Sequence, residues 1–276
     1  MTNSRYLTSI LLAIIAFCIA QLCFAQSLDS AVHSIDDEKR IHIIVGMGSR
    51  PPFLDIHGEQ GAGPDVLNAL NQAQEHFYFK HKYIPTKRKV KMVEEGWIDI
   101  MMWDNRSWSW ESSNVSSSAA LVHSKDIFIA LKERAQTEQF FDSLENKSIS
   151  VVRGYHYQFL DFDTNFEKFS DKYKIASVRT EEAVIKMVLA GRAHVGVVSD
   201  TSLSWFLIRY PEYQTKIIQS EKIDKFYSRH FVIPNQSVLT ANELNDILKA
   251  ADQKGLLSPI YQRYGLNKPD FNVISK

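Results

Sequence analysis

Short runs of consecutive apolar residues recur along this chain between stretches whose apolar positions fall three or four apart. That alternation is expected of buried strands linked by amphipathic helices. Residues 41–45 form the first run and lead into a turn of Gly46, Gly48, Ser49, Pro51 and Pro52. Pro64 and Asp65 start a helix at the position where proline costs least, with Val66, Leu67, Leu70 and Ala73 on its buried face. Residues 77–83 read as a strand, 87–95 as a helix and 98–103 as a strand, followed by a Ser- and Trp-rich loop over 104–118 and a strand at 127–131. A helical turn at 141–144, a strand at 149–152 and an Arg153-Gly154 turn into a helix come next. Thr180 before Glu181 and Glu182 supplies a hydroxyl cap and first-turn acids to a further helix. Its strand ends near Val198, and Ser199-Asp200-Thr201 leads into a helix over 203–208. A strand at 230–234 and helices at 241–250 and 259–264 complete the pattern.

Within this pattern one phrase occurs twice. Residues 91–96 read KMVEEG and residues 186–191 read KMVLAG, and each is followed by a short apolar run. Each copy is a helix closed by a glycine where a left-handed backbone is cheap, with a buried strand beginning at once. Two such copies predict two similar α/β lobes, with a ligand cleft where they meet.

The first 25 residues stand apart. Arg5 precedes an apolar stretch from Leu7 to Phe24, and Ala25 offers a small residue before Gln26, the pattern of a cleaved secretory signal over 1–25; an N-terminal membrane anchor is the alternative. Phe17 and Leu22 are large where a lipid-attachment signal needs small residues. Both cysteines, Cys18 and Cys23, lie in this segment, so the processed chain carries no disulfide or thiolate nucleophile, in keeping with export to a bacterial periplasm. With 32 basic and 32 acidic side chains the balance is near neutral and gives no reason to expect nucleic acid or an anionic membrane as partner.

Candidate chemistry concentrates in two places. Trp103, Asp104, Asn105, Arg106, Trp108 and Trp110 cluster at a strand's C-terminal end, where ligands bind in open α/β sheets. There an indole could stack on a flat or cationic ligand while Asp104 or Arg106 fixes its charge; anchoring of the loop is the structural alternative. Arg153 and Tyr155 sit in a turn after another strand, where free N–H groups at a helix start suit an anion. The nine histidines form no i,i+4 pair, so neither a metal nor another cofactor is expected, and no hydrolase, phosphate-loop or zinc-protease phrase occurs.

In order along the chain, the phrases Pro51-Pro52-Phe53, Gly63-Pro64-Asp65-Val66-Leu67, Glu95-Gly96-Trp97-Ile98-Asp99, the stretch from Leu144 to Gly154, Ala190-Gly191-Arg192-Ala193-His194-Val195, and Lys254-Gly255-Leu256-Leu257 with Ile260 to Gly265 resemble the periplasmic solute-binding proteins of family 3, the amino-acid-binding type. The resemblance spans nearly all of residues 40–266. It implies an α/β, two-lobed Venus-flytrap fold of type II, with one lobe from 27–126 plus 231–276, the other from 127–230, and two crossing strands as hinge. It further implies a non-catalytic, monomeric protein that closes on a small polar solute for an ABC importer or a membrane sensor. A cyclohexadienyl-dehydratase-like enzyme, with Glu111 or Asp104 as its carboxylate, and an accessory protein with a vestigial cleft are the alternatives. By the same resemblance Phe53 walls the pocket and Asp200 meets a ligand amine, although Asp200 also suits a helix start. One departure matters: the family's Thr-x-x-Arg carboxylate grip is absent, its positions falling on Trp108 and Glu111, with Arg106 nearby in the same loop.

Overall fold

The computed structural model describes residues 39–110 and 113–272; the expected signal segment lies outside them. Among the described residues nine strands and six α-helices follow in chain order: β1 (Ile41–Met47), α1 (Ala62–Ala73), β2 (Phe77–Tyr83), α2 (Lys89–Glu94), β3 (Ile100–Asp104), β4 (Val115–Ser117), β5 (Val122–Leu131), β6 (Ser148–Val152), β7 (Lys174–Val178), α3 (Glu181–Leu189), β8 (Val195–Ser199), α4 (Asp200–Arg209), β9 (Ile217–Pro234), α5 (Ala241–Gln253) and α6 (Ser258–Arg263). Among the described residues no helix is long and apolar enough to cross a membrane.

The strands run in the order β2-β1-β3-β9-β5-β8-β6-β7, with β4 pairing β9 off this path. β1 and β3 are parallel, as are β8, β6 and β7, while β9 runs antiparallel to β3, β4 and β5. One end of β9 therefore pairs with β3 and β4 and the rest with β5, which in turn pairs with β8. Side chains of β5 alternate between faces: Ile127 and Ile129 join a core with α3 and α4, and Phe128 and Ala130 join a second core on the other side. A third cluster unites Val93 of α2 with Ile98, Met101, Trp110 and Val232. Residues 39–42 and 75–78 make a small compact unit of their own, in which the Ile41 N–H donates to the His76 carbonyl at 3.0 Å.

The C-terminal helices return to α1. Lys254 donates to the Ala73 carbonyl at 2.9 Å, Arg263 pairs with Asp65 at 2.8 Å, and the Tyr261 hydroxyl donates to the Leu121 carbonyl at 2.7 Å. Helix α5 opens on a reciprocal cap between Thr240 and Glu243.

The two copies of the repeated phrase close alike. Gly96 and Gly191 have φ of 72° and 68°. In the first copy the N–H groups of Gly96 and Trp97 bond the carbonyls of Val93 and Met92; in the second, those of Gly191 and Arg192 bond Val188 and Met187. That is a Schellman closure in both. The residue before each following strand then ties back to a parallel neighbour. Asp99 accepts from the Ile44 N–H at 2.7 Å, and the His194 ring nitrogen accepts from the Ser148 N–H at 3.0 Å.

The structure corrects the sequence pattern in four places. β9 spans 18 residues instead of only 230–234. Its first two thirds are rich in charged and hydroxyl side chains, and register shifts around Asp126 and Ile127 break the simple alternation against β5. β4 and β7 are also present without having been expected. No helix follows Gly154, because the Val152 N–H bonds the Tyr157 hydroxyl at 2.8 Å and turns the chain back. The first helical turn waits until Gln158–Leu160, where the Asp224 carboxylate takes the N–H groups of Gln158 and Phe159, both at 2.8 Å.

Candidate functional site

Arg229, inward-facing on β9, is the centre of the candidate site. It is 2% exposed, and its guanidinium lies 5.1 Å from the Phe53 ring, 4.9 Å from Trp108 and 5.0 Å from Tyr227. Strand geometry places Tyr227 and Arg229 on one face, two residues apart. The turn after β1 contributes Phe53, and the loop after β3 contributes Trp108. Arg229 donates to the Trp103 carbonyl at 3.3 Å and to the Tyr227 hydroxyl at 3.4 Å, while its Nε, buried, has no hydrogen-bond partner. Among the described residues no carboxylate lies within ion-pair distance of it. Burial pushes its pKa down and the nearby Arg50 charge adds to that, against Tyr227, Tyr155 and Glu181.

Arg50 faces the same space. Its guanidinium lies 4.7 Å from the Tyr155 ring, and it too has no carboxylate partner within ion-pair distance among the described residues. Burial alone would lower its pKa, but Tyr155, Glu181, Tyr227 and Asp126 together raise it. Arg50 and Arg229 line a partly open cavity of about 60 Å³ with Ser49, Phe53, Met102 and Trp108. That volume holds a few waters or one carboxylate group.

Lys89 and Asp104 also reach this cavity but neutralise each other. The ammonium contacts both carboxylate oxygens, at 2.8 and 2.7 Å, with both residues buried, and the Trp110 indole N–H donates to the same carboxylate at 3.3 Å. Burial lowers the Lys89 pKa and Asp104 opposes that.

Two acids from the β5–β8 side complete the surroundings. Asp126 accepts from the Tyr227 hydroxyl at 3.0 Å, and burial together with the Glu181 charge pushes its carboxyl up to about 7. Glu181, first residue of α3, accepts from the Ser199 N–H at 2.6 Å and the Ser202 hydroxyl at 2.7 Å. The two sides of the cleft touch. The Ser202 hydroxyl oxygen, its proton directed to Glu181, lies 3.3 Å from the Pro51 carbonyl oxygen, and Trp205 of α4 lies 5.3 Å from the Tyr264 ring. Gly265 approaches so closely that a Cβ there would stand 2.6 Å from the Ile208 methyl.

The residues expected from sequence fall into three groups. Phe53, Trp103, Asp104 and Trp108 line the cavity. Trp103 is stacked at 4.6 Å on Phe53 and only 6% exposed, so its ring is already covered, and its indole nitrogen has no partner. Tyr155 reaches the site through Arg50. Asp200, at the start of α4, accepts from the Ser124 hydroxyl and the N–H groups of Lys125 and Thr201, which engages it in structure. Arg106 and Arg153 are exposed and line no part of the cavity. The expected helix start beside Arg153 is absent, and Glu111 lies outside the described residues. Sequence reasoning missed Arg50, Lys89, Asp126, Glu181, Tyr227 and Arg229. The available signal was position: Arg50 precedes Pro51-Pro52-Phe53, and Tyr227, Arg229 and Phe231 alternate on one strand face. Among the described residues no three His, Cys, Asp or Glu side chains gather as a metal site.

No protein-family model matches the chain, and no curated protein sequence matches it. Solved structures do. ArtJ, the arginine-, lysine- and histidine-binding protein of the thermophilic bacterium Geobacillus stearothermophilus, is 18% identical with a TM-score of 0.60, covering 84% of this chain and 98% of its own. The glutamate-bound ligand-binding core of GluR0 from Nostoc punctiforme is 14% identical with a TM-score of 0.59, covering 80% of this chain and 98% of its own. The ancestral amino-acid-binding protein AncCDT-1, a precursor of cyclohexadienyl dehydratase, is 18% identical with a TM-score of 0.59, covering 81% of this chain and 95% of its own. The chain thus has the two-lobed fold of the periplasmic binding proteins.

Proposed function

We propose that this protein is a non-catalytic, exported solute-binding protein that closes on a small polar solute. The observation that carries the reading is a cleft in which buried Arg229 and half-buried Arg50 have no carboxylate within ion-pair distance among the described residues, bordered by groups from both sides. A buried charge such as that of Arg229 is costly unless a ligand completes it. In this reading residues 27–126 with 231–276 form one lobe and 127–230 the other, and they rotate about 127–131 and 231–234. Ser202, Trp205 and Tyr264 supply contacts made in the closed arrangement. The closed form would be presented to an importer or a membrane sensor, as the amino-acid-binding and transporter proteins of like fold support. Native mass spectrometry of the protein as purified, followed by scattering with and without the solute found, tests this. A bound small molecule and a smaller radius are expected; a bound solute with an unchanged radius would sink the closure mechanism.

One observation favours a second reading. Asp126 is a buried carboxyl behind Tyr227, pushed up to about 7, the range suited to a general acid or base. On the AncCDT-1 precedent of fold, an enzyme acting on a cyclohexadienyl substrate would lose turnover in Asp126→Asn. No product from such a substrate with the intact protein excludes it.

A further inference from the structure

Three aromatic rings at 4.9–5.1 Å around a cation are the geometry by which proteins hold ligand cations. Here the cage of Phe53, Trp108 and Tyr227 is already occupied by the chain's own Arg229, and Trp103 is covered by Phe53. The aromatic surface expected to receive a flat or cationic ligand is therefore spent within the protein. What faces the cavity is positive charge. Arg229 keeps a buried Nε without a partner, and Arg50 lies on the same wall with no carboxylate neighbour among the described residues. Of the acids nearby, Asp104 is cancelled by Lys89, while Glu181 and Asp126 accept from Ser199, Ser202 and Tyr227 and line no part of the cavity.

Resting on the solute-binding reading above, we propose that Arg229 and Arg50 determine specificity, and that the solute is a small compound carrying two carboxylates, one of which enters this cavity while the rest lies at its open mouth. The planar guanidinium fork suits a carboxylate bidentately, and stacking on rings fixes its orientation before the ligand arrives. Arg229 reaches the cleft from β9, so it supplies an anion grip from the crossing strand, where the loop over 104–118 has no arginine lining the cavity. A cationic solute would meet two like charges at this wall.

Isothermal titration of the purified chain with succinate, L-glutamate and L-arginine tests the assignment. Succinate and L-glutamate should bind and L-arginine should not. Arg229→Gln should weaken binding of both acids by about 10–100-fold, the loss of a charge-assisted hydrogen bond. Arg229→Lys should recover part of the loss, because it keeps the charge without the fork. Arg50→Gln, whose side chain packs on one ring only, gives the same readout if Arg229→Gln fails to fold. Binding of L-arginine without the acids overturns the assignment and leaves solute binding standing, as does unchanged acid affinity in folded Arg229→Gln and Arg50→Gln. Failure of every solute in a broad panel of amino acids and organic acids overturns both this assignment and the reading beneath it.

Discussion

The two copies of the repeated helix–strand unit share a backbone and differ in charge. Both end on a left-handed glycine with the same pair of hydrogen bonds, and both feed a strand pinned to a parallel neighbour. In the first copy, Lys89 at the start of α2 meets Asp104 at the end of β3, a buried pair that cancels. In the second, Glu181 at the start of α3 meets a backbone N–H and a hydroxyl at the end of β8 and the start of α4, with no basic side chain within ion-pair distance among the described residues. The exits differ as well: β8 runs directly into α4, whereas β3, in which Trp103 has φ of 61°, ends in a loop. One frame has thus been used twice, and the side chains at the ends of its strands decide which half contributes neutral structure and which contributes field.

Breaking the first copy's ion pair should have the largest effect. Lys89→Met leaves Asp104 buried and unpaired, with an expected loss of about 3–5 kcal/mol in stability by chemical denaturation. Adding Asp104→Leu should recover much of it. Glu181→Gln keeps the shape and one of the two accepting oxygens and should cost about 1–2 kcal/mol. Equal losses from Lys89→Met and Glu181→Gln would mean that charge cancellation is not what separates the copies.

The next effect sits between the copies, at Asp126. Its folded pKa of about 7 lies above the ordinary 3.8, so between those values the native state holds a proton that the unfolded chain has released. Stability should therefore fall as pH rises from about 4 to 7 and level off above, by up to on the order of 4 kcal/mol. Asp126→Asn should flatten that slope; a slope unchanged in the variant would assign it to other groups.

Smaller effects sharpen the likeness. Gly96→Ala and Gly191→Ala should each cost about 1 kcal/mol, because an L residue is strained at these positive φ values whatever the space around it. A large inequality would show that the two closures are not equivalent. Thr180→Ala should remove about 1 kcal/mol with the hydroxyl that accepts from the Ala183 N–H. The start of α2 has no such cap to lose.

These comparisons also mark what could be read without coordinates. The repeat was legible because a glycine stop and an apolar run are local properties, and the family phrases carry the same local logic. The length of β9 was not, because residues 217–229 are polar on an exposed face and paired through register shifts. Of the candidate site, Phe53, Trp103, Asp104 and Trp108 were found because aromatic and acidic residues crowd one loop. Arg229 was missed because its role depends on a strand face shared with Tyr227 and on rings brought from 53 and 108. The pairing of Asp104 with Lys89 likewise needs the helix and strand ends to meet.

The return of α5 and α6 to α1 sets an order of assembly during synthesis. The stretch from β5 to the pairing partner of β5 in β9 is contiguous and has its own two cores, so it can complete as soon as it leaves the ribosome. The earlier stretch emerges first but stays unfinished. Its α1 awaits Lys254 and Arg263, the carbonyl of Leu121 awaits Tyr261, and β3 awaits the far end of β9. The first part of the chain to be made is thus the last to be sealed, and its unpaired strands are the segment that needs protection on the way to the folded state.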